Sequence, residues 1–251
     1  MERPSTVTSV SPKDSSSARR SGFTLVELLA VIMIIALLAG LVTPAVMRAR
    51  TSARNAAIRA EIDMLHMAIM NYKNDYGSFP PAVDLNPGTA STPPTPAQKH
   101  LQRLFPRCAN VVGQFSAGGA GQITPINALA SWLLGFTGDP SSPLLPPANR
   151  KKLFDFDQTR INASTGGYAP AGKSLSPYIY MDYGSYAYCA SNPVSVSNGS
   201  VTPELTAAGS AFNPDTFQIL CAGQDETWGT DDDLSNFWKG TRKEYLDSLK
   251  Q

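Results

Sequence analysis

Arg19-Arg20-Ser21-Gly22-Phe23-Thr24-Leu25-Val26-Glu27-Leu28-Leu29 opens the longest apolar run in the chain. From Phe23 to Met47 the single charge is Glu27, and from Leu28 to Val42 there is no polar side chain. Twenty-five helical residues span roughly 37 Å, enough to cross a hydrocarbon core of about 30 Å. No second stretch of this kind follows, so the sequence predicts a single membrane crossing. Residues 1–22 before it are polar and rich in Ser, with basic residues at their end. They read as a disordered leader. An acid inside an apolar span is costly and points to function, so Glu27 is a candidate site residue. Pro44, near the end of the run, removes a helical hydrogen bond and is expected to kink or melt the helix locally.

The pattern beyond Met47 stays helical. Ile58, Ile62, Leu65, Ile69, Tyr72 and Tyr76 step by three and four, one apolar stripe on an amphipathic helix. Gly77 is a C-cap signal and Ser78-Phe79-Pro80-Pro81 ends the helix. Arg48, Arg50, Arg54 and Arg59 on this half read as a solvated helix face, and His66 as surface or packing.

A secretory signal peptide is the first alternative for the apolar run, with Ala39-Gly40 or Thr43-Pro44-Ala45 as weak cleavage sites. The length of the run and the acid at Glu27 weigh against it. A lipoprotein is disfavoured because no Cys precedes Cys108. The run from Arg19 to Leu29 instead resembles the class III leader and N-terminus of type IV pilins and type II secretion pseudopilins: a basic stretch, Gly, Phe, and Glu as fifth residue counted from Phe23. The resemblance implies cleavage after Gly22 by a membrane prepilin peptidase and N-methylation of Phe23. It also implies a filament in which Glu27 of one subunit meets the new ammonium of its neighbour, and in which the helix unwinds around Pro44. The leader then faces the cytoplasm, against a naive count of the arginines beyond the span.

Asn71-Tyr72-Lys73-Asn74-Asp75-Tyr76-Gly77-Ser78-Phe79-Pro80 resembles the helix-to-head junction of major pseudopilins. Near the C-terminus, Gln224-Asp225-Glu226-Thr227-Trp228-Gly229-Thr230-Asp231-Asp232-Asp233 holds five carboxylates within nine residues. Calcium takes six to eight oxygen ligands, carboxylates among them, and the spacing is not that of an EF-hand. The run resembles the C-terminal calcium loop of major pseudopilins. That resemblance implies Asp225, Asp232 and Asp233 as ligands, with Asp231 a lesser candidate and Glu226 standing where the family often has Gly. The alternative is a solvated acidic turn.

The rest is read more coarsely. Residues 82–100 and 139–147 read as loops, and Ala128 to Phe136 as a helix. Tyr178–Tyr183 and Ser185–Cys189 read as strands meeting at Gly184, with Phe217–Cys221 a third strand, 190–214 a loop and 244–249 a short helix. The region 85–175 exceeds what a small pseudopilin head needs. Three cysteines, Cys108, Cys189 and Cys221, show no metal-binding or redox spacing. One disulfide is plausible in an oxidising compartment, with Cys189 and Cys221 as a guess at the pair. Net charge is +1 and charged residues are 16% of the chain, so no basic field invites nucleic acid. No nucleotide-binding, serine-hydrolase or zinc-protease motif occurs, and the two histidines, His66 and His100, flank no nucleophile; an enzyme is not expected.

These readings converge on an α+β, pilin-like chain with a long N-terminal helix packed on a small antiparallel sheet. Its expected segments are a cleaved leader (1–22), a transmembrane or filament-core helix (23–47), an amphipathic helix (48–79) and a periplasmic head (80–251) with inserted loops. The resemblance implies a major-pseudopilin-like subunit, anchored in the inner membrane and polymerising into a periplasmic pseudopilus for protein export. Its partners would be copies of itself, prepilin peptidase, the inner-membrane assembly platform and other pseudopilins, with calcium bound to the head. A type IV pilin or minor pilin for adhesion, motility or DNA uptake is the alternative. A membrane-tethered enzyme or binding protein with an imitation leader is the third.

Overall fold

A computed structural model of the chain describes residues 22–83, 95–110, 113–114, 123–172 and 176–250; the leader up to residue 21 lies outside them. The chain divides into two units, up to Arg48 and from Ala49 onward. Helix α1 (Leu25–Tyr76) begins in the first and ends in the second.

In the first unit every described residue is exposed, including the apolar series from Leu25 to Met47. Such a surface is stable only against lipid or other apolar chains. This part of α1 is long and apolar enough to cross a membrane. The helical run passes through Pro44 unbroken, so the local melting expected there is absent from this single chain. The Thr43 hydroxyl beside it donates to the Ala39 carbonyl at 2.7 Å.

In the second unit α1 buries Ile58, Ile62, Leu65, Ala68, Ile69 and Tyr72. This is the predicted stripe, except that Tyr76 is half-buried, edge-on to Phe136 with ring centres 5.1 Å apart. Gly77 closes the helix as expected, at φ +80° with its N–H on the Lys73 carbonyl at 2.7 Å. The stripe packs on a three-stranded antiparallel sheet in the order β1-β4-β5, formed by β1 (Ile179–Asp182), β4 (Phe217–Cys221) and β5 (Leu234–Ser235). Ile179 faces Leu220, Asp182 faces Phe217, and Cys221 faces Leu234. All residues of these strands are buried, the polar Asp182, Gln218 and Ser235 among them. His66 packs on Phe217 at 4.9 Å between ring centres, and its Nδ1 meets Asn236 at 3.3 Å.

The region beyond the expected small head belongs to the core. Helices α2 (Pro96–Leu104) and α3 (Ala128–Leu133) bury Ala97, Leu101, Trp132 and Leu133 beside Leu144 and Phe156. Thr95 and Gln98 form a capping box that starts α2 inside a stretch read as loop. Gly135, at φ +70°, ends the α3 turn where a Cβ would collide with the Lys151 carbonyl, so only glycine fits there. His100 on α2 is buried, its Nε2 2.8 Å from the Tyr72 hydroxyl. Burial, with Arg103 nearby, pushes its pKa down to about 4.

Three expectations are corrected. The segment Ser185–Cys189 is not a strand. Asp182 accepts hydrogen bonds from Gly184 N–H at 3.1 Å and from the Ser185 hydroxyl, turning the chain into helix α4 (Tyr186–Ser191). The β1 edge it would have joined is already taken by Pro125, whose carbonyl accepts from Tyr180 N–H at 2.9 Å. Residues 190–214 are not all loop, because β2 (Val194–Val196) and β3 (Gly199–Val201) form a hairpin. Cys189 and Cys221 are not paired: all three cysteines are buried free thiols. Burial, with Asp182 nearby, raises the Cys189 thiol to about 11.

Candidate functional sites

The first candidate is the start of α1. Thr24 stands just before the helix, and Glu27 Oε2 accepts from Thr24 N–H at 2.9 Å and from the Thr24 hydroxyl at 2.8 Å. Glu27 N–H returns a bond to Thr24 Oγ1 at 3.2 Å. This is a capping box, which satisfies backbone donors that a helix start leaves orphaned. Its Thr-x-x-Glu signature is present in the sequence as Thr24-Leu25-Val26-Glu27. It gives Glu27 an intrachain role beyond the intersubunit one expected of it. Gly22 and Phe23 precede the helix in an irregular segment, and Phe23 is 79% exposed. The bond between them is therefore open to a protease. Pro44 lies 17 positions beyond Glu27 on the same helix.

The second candidate is the acidic loop between β4 and β5. Gly223 (φ +64°) and Gly229 (φ +82°) bend it, and Glu226 adopts φ +57°. A Cβ on Gly223 would meet the carbonyl and carboxylate of Asp232. Asp232 Oδ2 accepts from the N–H groups of Gln224 at 2.6 Å and Asp225 at 3.1 Å, and its Oδ1 from the Thr230 hydroxyl at 2.7 Å. Asp225 caps Thr227 N–H at 2.7 Å. Asp233 is buried and accepts from Gly229 N–H at 2.8 Å. Burial raises its pKa to about 7, and Oδ1 has no partner among the described residues. Asp231 is exposed and faces Lys243 at 3.7 Å. Helix α5 (Arg242–Ser248), capped by Thr241 and Glu244, closes the loop: Arg242 donates to the Gly229 carbonyl at 2.6 Å.

The donors are the hard oxygens that calcium prefers, but their arrangement is not a ready cage. Among the described residues, no three His, Cys, Asp or Glu side chains form a group that could hold a metal ion. The loop is closed instead by its own N–H to carboxylate bonds. Asp232→Ala in the Ala49–Gln251 fragment, in EDTA, is expected to lower unfolding stability by about 1.5–3 kcal/mol, the scale of charge-assisted hydrogen bonds. Asp232→Asn, which keeps an acceptor, should lose less. Urea unfolding measures both, and equal losses would mean that the charge does not matter.

A third cluster escaped the sequence reading. Glu61, on the side of α1 next to the stripe, accepts from Arg160 at 2.5 Å and from the hydroxyls of Tyr178 at 2.6 Å and Tyr168 at 2.9 Å. The side chains of Glu61 and Arg160 are 12% and 18% exposed. Burial, with Cys221 and Glu61 nearby, pushes the Tyr178 phenol well above its ordinary pKa. Motif and spacing rules do not reach such a cluster, because Glu61 lies 99 to 117 positions from its donors. Arg59 likewise is no free surface charge, since it donates to the Gly240 carbonyl at 2.8 Å and to that of Trp238.

Residues 17–43 match the model of the prokaryotic N-terminal methylation motif. No curated protein and no solved structure matches the chain. The match covers Gly22, Phe23, Glu27 and most of the exposed apolar run, and it supports a type IV pilin-like or pseudopilin N-terminus.

Proposed function

We propose that this chain is a filament subunit of the type II secretion pseudopilus, made as a precursor and processed at Gly22. The observation that carries the reading is the methylation motif at residues 17–43 leading into a helix whose apolar residues are all exposed up to Met47. Prepilin peptidase cuts after Gly22 and Phe23 is methylated. The helix then holds the protein in the inner membrane until the assembly platform draws it into a pseudopilus with other copies and other pseudopilins, the head lying in the periplasm. The Tyr76-Gly77-Ser78-Phe79 junction, folded as a capped helix end, and the acidic loop favour the secretion system. A type IV pilin or minor pilin is the second reading. The observation that favours it is the enlarged head, in which α2 and α3 supply core residues.

The test is the intact mass of the full chain from membranes of a host with a prepilin peptidase. The expected product begins at N-methylated Phe23. An uncut chain, or a cut beyond Ala39, would remove the reading. Calcium is proposed separately, on the resemblance of the loop and on the buried unpartnered oxygen of Asp233. Millimolar calcium is then expected to raise the Tm of the head over its value in EDTA. Asp232→Ala with Asp233→Ala should abolish the rise, and an unchanged Tm in the parent protein would leave the loop held by hydrogen bonds alone.

A further inference from the structure

In the two-stranded hairpin β2–β3, the outer edge of β2 is unpaired among the described residues. Val196 pairs with Gly199 across the two-residue turn Ser197-Asn198, and Val194 pairs with Val201. These are the hydrogen-bonded pairs of an antiparallel ladder, so Ser195, opposite Ser200, is the non-bonded position between them. Its N–H and C=O therefore point away from β3. Among the described residues neither has a hydrogen-bond partner. Ser195 is exposed and lines a cleft of about 450 Å³ together with Val196 and Ser197. That volume lies in the range of ligand clefts, about 300–1,000 Å³.

The facing wall is also extended backbone. Ile161 bridges Tyr168, flanked by Asn162 N–H on Gly167 O at 2.9 Å and Ala169 N–H on Arg160 O at 3.1 Å. By the same alternation, the Ile161 carbonyl turns away from residues 167–169. Ile161 lines the cleft, and its carbonyl has no partner among the described residues. Ile126 and Pro177 add apolar surface, while Asn162 and Thr165 add polar groups. Arg160 alone is charged among the described lining residues. Its guanidinium is held by Glu61, by the Ala169 carbonyl at 2.6 Å and over the Tyr168 ring at 4.4 Å. Among the described lining residues, no uncommitted charge is offered to a ligand.

We infer that this cleft binds an extended, uncharged peptide segment of a separate polypeptide, which adds as a strand to the Ser195 edge and lies against the Ile161 wall. Strand addition satisfies unpaired edge groups by main-chain hydrogen bonds, and flanking pockets then sort the side chains. The hydroxyl and amide lining suits Ser, Thr and Asn side chains, and the apolar surface suits Val. The inference concerns the unit from Ala49 onward and stands whether or not the chain is cut at Gly22.

The test uses the full chain in detergent and an array of acetylated, amidated hexapeptides composed of Ser, Thr, Val, Asn and Gly. Retention of the protein on a subset of the array is expected. Ser195→Pro deletes the outward N–H while sparing both bonded pairs, and proline is tolerated on strand edges. It should weaken binding about tenfold, the equivalent of one good hydrogen bond. Ser200→Pro, the same change on the opposite edge, should leave binding within about twofold and controls for damage to the hairpin. A retained peptide resynthesised with alternate N-methyl groups should no longer bind the parent protein, which tests strand pairing without any variant. No retention across the array, equal effects of the two proline variants, or undiminished binding of the N-methylated peptide would overturn the inference. So would retention of uncharged oligosaccharides in place of peptides.

Discussion

Glu61→Ala is expected to destabilise the Ala49–Gln251 fragment by about 3–5 kcal/mol, the scale of breaking a buried ion pair from one side. Three donors converge on this carboxylate: the Arg160 guanidinium and the hydroxyls of Tyr168 and Tyr178. Removing it leaves a charge and two hydroxyls to find new partners in a site that excludes most water. Arg160 keeps the Ala169 carbonyl, at 2.8 Å from Nε and 2.6 Å from a terminal nitrogen, but loses the carboxylate that balances its charge. Glu61→Gln should fall in between, because an amide oxygen still accepts from a tyrosine. Replacing both ends, as Glu61→Leu with Arg160→Met, should recover much of the loss, since a paired charge removed whole costs far less than one left behind. Urea unfolding of the parent, Glu61→Leu, Arg160→Met and the double variant gives the coupling directly. A loss under about 1 kcal/mol for Glu61→Ala, with no coupling to Arg160, would show that the cluster does not hold the helix to the head.

The parts of the fold that were legible in the sequence are those set by local periodicity and chain stops. The α1 stripe follows from the spacing of Ile58, Ile62, Leu65, Ile69 and Tyr72, and its end from Gly77. Strands β1 and β4 follow from runs dominated by apolar and aromatic residues, which suit a sheet buried on both faces, with Asp182 and Gln218 as the polar exceptions. What could not be read depends on partners far away in the chain. Ser185–Cys189 has strand composition, yet the carboxylate of Asp182 caps the next turn and Pro125 occupies the edge it would have joined. Tertiary context overrides a propensity worth less than about 1 kcal/mol per residue. Residues 95–100 read as the end of a Pro/Thr-rich loop, but Thr95-Pro96-Ala97-Gln98 is a capping box with proline at the first helical turn. That signal was available and local. The Glu61 cluster was not, since nothing in the sequence couples position 61 to 160, 168 and 178.

For the candidate sites, the N-terminal motif was legible because it is linear: the Gly22-Phe23 pair, a helix start and an apolar run lie in order along one stretch of sequence. The acidic loop was legible as a place and not as a geometry. Its five carboxylates suggest one centre, but the backbone separates their tasks. Asp232 and Asp225 hold N–H groups of the turn, Asp231 turns outward to Lys243, and Asp233 is buried.

Glu27→Gln is expected to leave a chain that is cut to Phe23 and retained in membranes but fails to assemble into filaments. The structure makes this substitution more informative than Glu27→Ala. Glu27 caps the helix start through Thr24; on the proposed function its charge has a second, separable task, to meet the ammonium that cleavage would create on a neighbouring Phe23. Glutamine serves in a capping box as well as glutamate, so Glu27→Gln keeps the cap and removes the charge. Thr24→Ala does the reverse, giving up the cap, worth about 1 kcal/mol, and keeping the charge. In an apolar filament core an ammonium without its counter-charge costs about 3–5 kcal/mol, and the cost recurs at every subunit added. Cap loss, by contrast, is confined to each chain and leaves the contact between chains intact. Sheared filaments collected by ultracentrifugation, with intact mass on the membrane fraction, separate the two effects. Thr24→Ala filaments at near parental yield with none from Glu27→Gln would assign assembly to the charge. Filaments from Glu27→Gln at parental yield would leave Glu27 as a helix cap and remove the intersubunit ion pair.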